Sequence, residues 1–172
     1  GTHTVTVSDN TAPGWSSFTP TGWVSASQTV NVAIHVQDAG SGLDGSTAQY
    51  AYSNNGGGAW TSWSAATISG ADWTTAPQTV TVSVPFGQDS GSGHLNLARF
   101  RINDMAGNAG ESSAYNVDID TQAPTNPTIL SGSVPTGTWT NSPAITMSWS
   151  GQSDASSGVG GSFNRSRLTG GG

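Results

Sequence analysis

Hydrophobic residues alternate with polar residues along most of this chain, and this alternation restricts the fold more than any other feature. It runs through residues 30–36, 80–86, 98–102 and 115–119, and includes Val5 and Val7 near the start. A period of two is typical of a β strand with one buried face, and no window of helical length has a period near 3.6. Clusters of Gly, Pro, Asn, Asp and Ser separate the runs and indicate turns. Short strands spaced by such turns predict an all-β antiparallel sandwich or barrel.

The charge and cysteine content exclude several classes of function. The chain has 4 basic and 10 acidic residues and a net charge of −6. So few cations cannot neutralise many phosphates, which argues against a nucleic acid or an anionic membrane surface as partner. The absence of cysteine excludes disulfides and thiol catalysis. No apolar run approaches the roughly 18 residues of a membrane-spanning helix, so we expect no membrane insertion.

An internal repeat predicts how the chain is divided. Asp9-Asn10-Thr11-Ala12-Pro13 recurs as Asp120-Thr121-Gln122-Ala123-Pro124, and a spacing of about 110 residues is the size of an immunoglobulin-like (Ig-like) sandwich. The run Val30, Val32, Ile34 then corresponds to Ile145, Met147, Trp149. We therefore expect residues 1–8 to be the last strand of a preceding unit, or a donated strand, in a chain excised from something longer. Residues 9–120 form one complete domain, and 121–172 form a partial second domain with a divergent Gly-rich tail.

Two motifs near the end of the first repeat resemble a known family. Asp104-Met105-Ala106-Gly107-Asn108 follows the strand ending in Asn103, and the linker Asp120-Thr121-Gln122-Ala123-Pro124 follows the next strand. Together they resemble the bacterial Ig-like (Big-type) repeats of large secreted and cell-surface, adhesin-like proteins. The resemblance implies an Ig-like Greek-key β-sandwich in tandem, outside the cell. A further motif, residues 53–60, resembles an Asp-box hairpin with Asn55 at the aspartate position.

Acidic residues at three predicted turns form a candidate metal site. In a seven-strand sandwich, the entering linker and the loops after the second and sixth strands lie at one end of the domain. These segments carry hard oxygen ligands of the kind that Ca²⁺ prefers: Asp9, Asp38, Asp44, Asp104 and Asn108. Asp120 and Asp154 form a weaker candidate at the second repeat. The family resemblance adds that related repeats hold calcium at such junctions. The competing interpretation is that Asp and Asn here are ordinary turn residues.

The tryptophans offer an alternative site. Trp63, Trp73 and Trp15 are candidates for contact with surface glycans, because exposed tryptophan rings can stack on sugars. Trp60 and Trp63 are three residues apart, which on one strand predicts that they face opposite sides. The motifs of nucleophilic or metal-dependent catalysis are missing from the sequence, since the histidines are isolated and no Gly-x-Ser-x-Gly occurs. We therefore expect no enzyme.

These observations together predict an extracellular structural module, namely a stalk, fibre or filament segment of a large cell-surface or secreted protein. Its partners would be neighbouring Ig-like domains or identical subunits, and strand exchange between subunits is one way in which it could polymerise. The alternative is a carbohydrate-binding or accessory β-sandwich module of a secreted hydrolase or adhesin. Calcium is the one cofactor that the sequence indicates.

Overall fold

The computed structural model describes residues 8–25, 29–89, 94–134, 137–142 and 144–160. Within these ranges the chain forms eleven β strands and no helix, so the all-β prediction is confirmed. The chain divides into two units, residues 1–121 and 122–172. The predicted strand at residues 1–8 lies outside the described residues except for Ser8.

The first unit contains two antiparallel sheets. One sheet has four strands in the order β1-β2-β6-β5, where β1 is Gly14–Thr19, β2 is Val30–Gln37, β5 is Thr67–Ile68 and β6 is Gln78–Val84. The other has five strands, with the order β4-β3-β7-β8 and with β9 also paired to β7. Here β3 is Leu43–Ser53, β4 is Ser64–Ala65, β7 is Leu97–Asp104, β8 is Ala109–Glu111 and β9 is Tyr115–Asn116.

The two sheets share one hydrophobic core, because each long strand directs alternate side chains to the same interior. In β2, buried and non-buried residues alternate along the whole strand, and His35 is exposed as its position in the alternation predicts. The core takes residues from β2 and β6 of the first sheet and from β3 and β7 of the second. Phe100, which is fully buried in this core, contacts Trp15 and Phe18. The architecture is that of a β-sandwich.

The last predicted strand of this unit is shorter than the alternation indicates. Instead of running from residue 115 to 119, β9 ends at Asn116. Beyond it, Ile119 forms an isolated parallel bridge with Val24, and the amide of Val117 donates to the carbonyl of Asn96. The alternation at residues 115–119 therefore reflects burial of Val117 and Ile119 rather than one continuous ladder.

The glycine-rich segment after β3 folds as the hairpin that its sequence predicts. The Asn55 side-chain oxygen accepts hydrogen bonds from the Ser53 hydroxyl at 2.7 Å and from the Ala59 amide at 2.8 Å. Gly56 and Gly57 both have positive φ angles, which glycine adopts without the penalty of a Cβ. This hairpin returns the chain alongside β3, where the Thr61 amide donates to the Tyr52 carbonyl.

The second unit contains one antiparallel sheet of two strands within its described residues. These are β10, Thr128–Gly132, and β11, Met147–Ser150. Several large apolar side chains of this unit are exposed, among them Trp139, Ile145 and Met147.

Candidate metal centre

Three acidic side chains of the first unit come together where the chain enters the sandwich. Asp9 lies in the segment that precedes β1, Asp38 directly follows β2, and Asp104 is the last residue of β7. One carboxylate oxygen from each lies within 4.8 Å of the others. Strand β2 of one sheet and strand β7 of the other both end at this side of the sandwich, which is why residues far apart in sequence meet there.

The Asp38 carboxylate is buried and only half satisfied by hydrogen bonds. Its side chain is 2% exposed, and Oδ2 accepts hydrogen bonds from the amides of Gly40 at 3.1 Å and Gly42 at 2.8 Å. Oδ1 is buried and has no hydrogen-bond partner. A buried carboxylate oxygen without a donor is costly unless a cation or another donor compensates it.

Asp9 is held in its ionised form by backbone amides. The amide of Thr11 donates to Oδ1 at 3.0 Å and the amide of Ser41 donates to Oδ2 at 2.7 Å. These hydrogen bonds lower the pKa of the Asp9 carboxyl from its ordinary value of 3.8, because they favour the charged form. A side chain at Gly40 would collide with this carboxylate, so glycine at position 40 lets the loop approach Asp9.

Asp104 is buried and is oriented by Asn108. The Asn108 amide donates to Oδ1 at 2.7 Å, and its side-chain nitrogen donates to Oδ2 at 2.6 Å and to the Asp9 carbonyl at 3.0 Å. Asn108 therefore faces the cluster through its nitrogen, and in this arrangement it orients Asp104 rather than offering an oxygen ligand. Gly107, with a φ of 93°, closes the turn that brings Asn108 back.

The geometry and chemistry of this cluster fit a calcium ion. Two oxygens bound to one Ca²⁺ at about 2.4 Å each can be at most about 4.8 Å apart, which is the limit within which the three carboxylates lie. The side-chain donors are oxygens alone, without histidine or cysteine, as hard cations prefer. Neither ion pair recorded for the described residues, His94–Asp118 and Arg99–Glu111, supplies positive charge to the cluster.

Asp44, the remaining acidic ligand predicted for this site, is not part of the cluster of Asp9, Asp38 and Asp104. Asp44 pairs with Asn103 in the β3–β7 ladder, and its Oδ1 accepts from the Ser46 amide at 3.1 Å and from the Ser46 hydroxyl at 2.6 Å. This is the geometry of a turn-forming aspartate. Asp120 is buried in the first unit and accepts from Gln88 at 3.1 Å.

Asp154 belongs to the second unit and accepts the same pattern of local hydrogen bonds as Asp38. Its Oδ1 accepts from the amides two and four residues later, those of Ser156 at 2.9 Å and Gly158 at 3.2 Å. Asp38 likewise binds the amides of residues 40 and 42. The sequence analysis did not predict that the loop after each aspartate donates two backbone amides to its carboxylate. A glycine four residues after the aspartate, Gly42 or Gly158, is the sequence pattern that could have predicted these hydrogen bonds.

The candidate glycan-binding tryptophans differ in their exposure and in the residues that they contact. Trp15 packs on Phe100, with ring centroids 6.1 Å apart, and Trp73 is 68% exposed. The Trp63 ring centroid lies 4.9 Å from the Arg99 guanidinium carbon and 4.4 Å from that of Arg101. The Trp60 ring centroid lies 4.4 Å from the Arg99 guanidinium carbon.

The prediction that Trp60 and Trp63 face opposite sides is therefore wrong. Both rings contact Arg99, because β4 begins only at Ser64. The two tryptophans precede this strand and are not bound by its alternation. Of the three candidate glycan contacts, Trp73 alone presents most of its surface to solvent.

The described residues contain no helix long and apolar enough to cross a membrane. A comparison of the chain with protein-family models, curated proteins and solved structures finds no match.

Proposed function

We propose that this chain is a non-catalytic structural segment of a secreted or cell-surface protein, built from Ig-like units in tandem and stiffened by calcium. The resemblance to bacterial Ig-like (Big-type) repeats supports this assignment, as do the low charge and the Ser- and Thr-rich composition. Neighbouring Ig-like units or identical subunits are its partners in this proposal. The segment acts as a stalk, fibre or filament element that spaces other parts of the protein.

The strand order supports an Ig-like topology. An Ig-type sandwich with seven strands A to G has one sheet ordered A-B-E-D and a second sheet built on C-F-G. If β1, β2, β6 and β5 are strands A, B, E and D, the first sheet has this order. Strands β3, β7 and β8 then correspond to C, F and G, with β4 as an additional strand beside C.

The second unit supports the tandem arrangement. In the first unit, Ser16 pairs with His35 and Thr19 with Ala33, so β1 has one extra residue between these pairs. In the second unit, Thr128 pairs with Ser150 and Ser131 with Ser148, again with one extra residue in the first strand. A bulge at the same place in both hairpins is a specific feature, and it favours a structural repeat.

The observation that carries the calcium assignment is the unpartnered, buried Oδ1 of Asp38 beside two further carboxylates. A Ca²⁺ ion bound there supplies the positive charge that the cluster needs. Asp9 is the only one of the three in the segment before β1, so the ion would fasten this segment to the loop after β2 and to the end of β7. We infer that it limits bending where the chain enters the unit.

Thermal unfolding of the full chain with millimolar CaCl₂ and then with a chelator tests this proposal. We expect calcium to raise the unfolding midpoint of the first unit and Mg²⁺ to do so much less, since Mg²⁺ requires a tighter octahedral site. Equal midpoints in calcium and in chelator would refute the calcium assignment and leave the aspartates as turn residues.

A second candidate function, contact with surface glycans, is favoured by the exposure of Trp73. An exposed ring offers a flat apolar face on which a sugar can stack. This candidate predicts binding on a glycan array that Trp73→Ala abolishes without changing the unfolding midpoint. Undiminished binding by that variant, or no binding by the unmodified chain, would exclude Trp73 as a glycan platform.

A further inference from the structure

Two arginines and two tryptophans form an arginine–tryptophan stack on the outer face of the second sheet. Arg99 and Arg101 of β7 alternate with buried residues of the core, so their side chains leave the strand on the face away from the core. The Arg101 guanidinium carbon lies 4.4 Å from the Trp63 ring centroid, and that of Arg99 lies 4.4 Å from the Trp60 centroid. Contact with an aromatic ring restricts the orientation of a guanidinium group.

The two arginines differ in their hydrogen bonds. Arg99 donates from Nη1 to Oε1 of Glu111 at 3.1 Å, although Glu111 lies directly opposite Arg101 in the β7–β8 ladder. Arg101 donates from Nε to Oε1 of Gln49 at 2.7 Å. Its Nη1 and Nη2 have no recorded hydrogen bond or ion pair with a residue that the structure describes. Arg101 is therefore oriented by a ring and an amide, while its terminal nitrogens remain available to a ligand.

Arg101 lines a groove over strands β3 and β7. The groove has a volume of about 480 Å³, within the range of roughly 300–1,000 Å³ that is typical of small-molecule sites. It coincides with an irregularity of β3, because residues 45–48 lie between the pairs Asp44–Asn103 and Gln49–Arg101, where β7 has only Ile102. Such bulges redirect side chains and are common beside binding sites. The residues that line the groove are Ser46, Thr47, Gln49, Arg101, Asn103 and Ala109.

The lining side chains suit the hydroxyl groups of a sugar. The Ser46 hydroxyl donates to Oδ1 of Asp44 at 2.6 Å, so its oxygen can still accept a hydrogen bond. Oε1 of Gln49 accepts from Arg101, which leaves the amide nitrogen of Gln49 as a donor. The Asn103 side chain adds a donor and an acceptor, and no hydrogen bond of that side chain is recorded among the described residues. A sugar hydroxyl both donates and accepts, and therefore fits such a mixture.

The charge distribution favours an anionic ligand at this place. The chain has a net charge of −6, and Arg99 and Arg101 are the only arginines or lysines in the ranges that the structure describes. Because Arg99 is already paired with Glu111, Arg101 is the cation that remains for a ligand. The guanidinium fork matches the two oxygens of a carboxylate.

The topology disfavours a peptide as the source of that carboxylate. Strands β3 and β7 are inner strands of the order β4-β3-β7-β8, so they offer no free edge to which a peptide could add as a strand. Ala109 is the one apolar residue of the lining, so the groove also lacks an apolar pocket for a peptide side chain.

We propose that the groove at Arg101 binds the carboxylate of an acidic sugar, either a uronate or a sialic acid residue of a glycan. Nη1 and Nη2 of Arg101 donate to the two carboxylate oxygens, while Ser46, Gln49 and Asn103 bind hydroxyl groups. Trp63 acts by orienting Arg101. This inference goes beyond the proposed structural function, and it depends neither on calcium nor on Trp73.

An NMR titration of the ¹⁵N-labelled full chain tests the proposal, with chelator present so that no calcium bridges protein and sugar. The probes are sodium D-glucuronate and, separately, N-acetylneuraminate. We expect saturable shifts of the amides of residues 46–49 and 101–103, with a dissociation constant on the order of 1 mM for the better ligand. D-glucuronamide, which keeps the ring but lacks the charge, should bind at least tenfold more weakly. The acidic sugar that binds more tightly identifies the source of the carboxylate.

Three variants separate recognition by Arg101 from a general effect of charge. Arg101→Gln should weaken binding at least tenfold, and Arg101→Lys should recover only part of the loss, because lysine keeps the charge without the fork. Gln49→Glu leaves Arg101 in place and gives it a carboxylate within the chain, so it should also weaken binding at least tenfold. Trp73→Ala is the control that should leave binding unchanged. Unfolding midpoints of all variants show whether the fold is retained.

Several results would overturn the proposal. These are the absence of saturable shifts with both acidic sugars, binding that Arg101→Gln leaves undiminished, binding of acetate as tight as that of the sugars, and tighter binding of poly-glutamate. Calcium binding to Asp9, Asp38 and Asp104 is measured separately, so failure here is distinguishable from failure of the calcium assignment.

Discussion

Replacing Asp38 by asparagine should change the stability of the first unit in opposite directions with and without calcium. The substitution keeps one oxygen in place for the amides of Gly40 and Gly42, which bind Oδ2 in the structure. It replaces the unpartnered Oδ1 by an NH₂ group. That group can donate towards the carboxylates of Asp9 and Asp104, which lie within 4.8 Å, but it cannot bind a cation.

The magnitudes follow from linkage and from hydrogen-bond energies. At a free calcium concentration one hundred times Kd, the bound ion stabilises the fold by about 2.7 kcal/mol. Near its midpoint, the unfolding free energy of a unit of this size falls by about 0.25 kcal/mol for each degree of heating. Loss of the ion alone therefore lowers the midpoint by about 11 °C. One new hydrogen bond to a carboxylate stabilises the variant by about 1–2 kcal/mol in both conditions. Asp38→Asn should therefore raise the midpoint by about 4–8 °C in chelator and lower it by a net amount of about 3–7 °C in calcium.

Differential scanning calorimetry of Asp38→Asn and of the unmodified chain, each in calcium and in chelator, measures both effects. Asp44→Asn is the matched control, because Asp44 also accepts from a local amide but lies outside the cluster. We expect that control to keep the full calcium response. If Asp38→Asn lowered the midpoint equally in calcium and in chelator, the carboxylate would be acting only as a turn acceptor and the reasoning would be refuted.

Three further predictions concern acid stability, the core and the arginine–tryptophan stack. The pKa of Asp9 is lowered from 3.8. In chelator, the stabilisation of the fold by ionised Asp9 is therefore complete above that pH and is lost as the pH falls through the folded-state pKa. Asp9→Asn should flatten this part of a curve of unfolding free energy against pH, and an unchanged slope would contradict the prediction. Phe100→Ala should cost about 3–5 kcal/mol in urea unfolding, whereas His35→Ala, on the exposed face of β2, should stay within about 0.5 kcal/mol; similar losses for both would argue against this core. Arg99→Ala removes two cation–π contacts and should cost about 1–2 kcal/mol with a change in tryptophan fluorescence, while an unchanged emission spectrum would show that the stack does not form in solution.

The long strands could be predicted from the sequence because their periodicity is a local property. The alternation in residues 30–36 matches β2 almost residue for residue, and the glycines after Ser53 specify their hairpin through positive φ angles. In both cases the neighbouring residues alone decide the conformation. The same is true of the turn at Asp104, where Gly107 and Asn108 follow at the required spacing.

Other features depend on contacts that periodicity does not encode. The prediction that Trp60 and Trp63 face opposite sides requires them to lie on one strand, but β4 starts after them. Both rings instead contact Arg99 of β7. Among the predicted acidic ligands, Asp9, Asp38 and Asp104 come together while Asp44 does not. Asp38 and Asp104 meet because β2 and β7 end at the same side of the sandwich. The Asp44 carboxylate instead accepts hydrogen bonds from the amide and hydroxyl of Ser46.

Direct measurement of calcium binding tests the central claim most closely. Isothermal titration of the full chain with CaCl₂, after removal of bound metal, should give saturable binding that is abolished in Asp38→Asn and retained in Asp44→Asn. Absence of binding to the unmodified chain, or binding that Asp38→Asn leaves unchanged, would contradict the claim that Asp9, Asp38 and Asp104 form a calcium site.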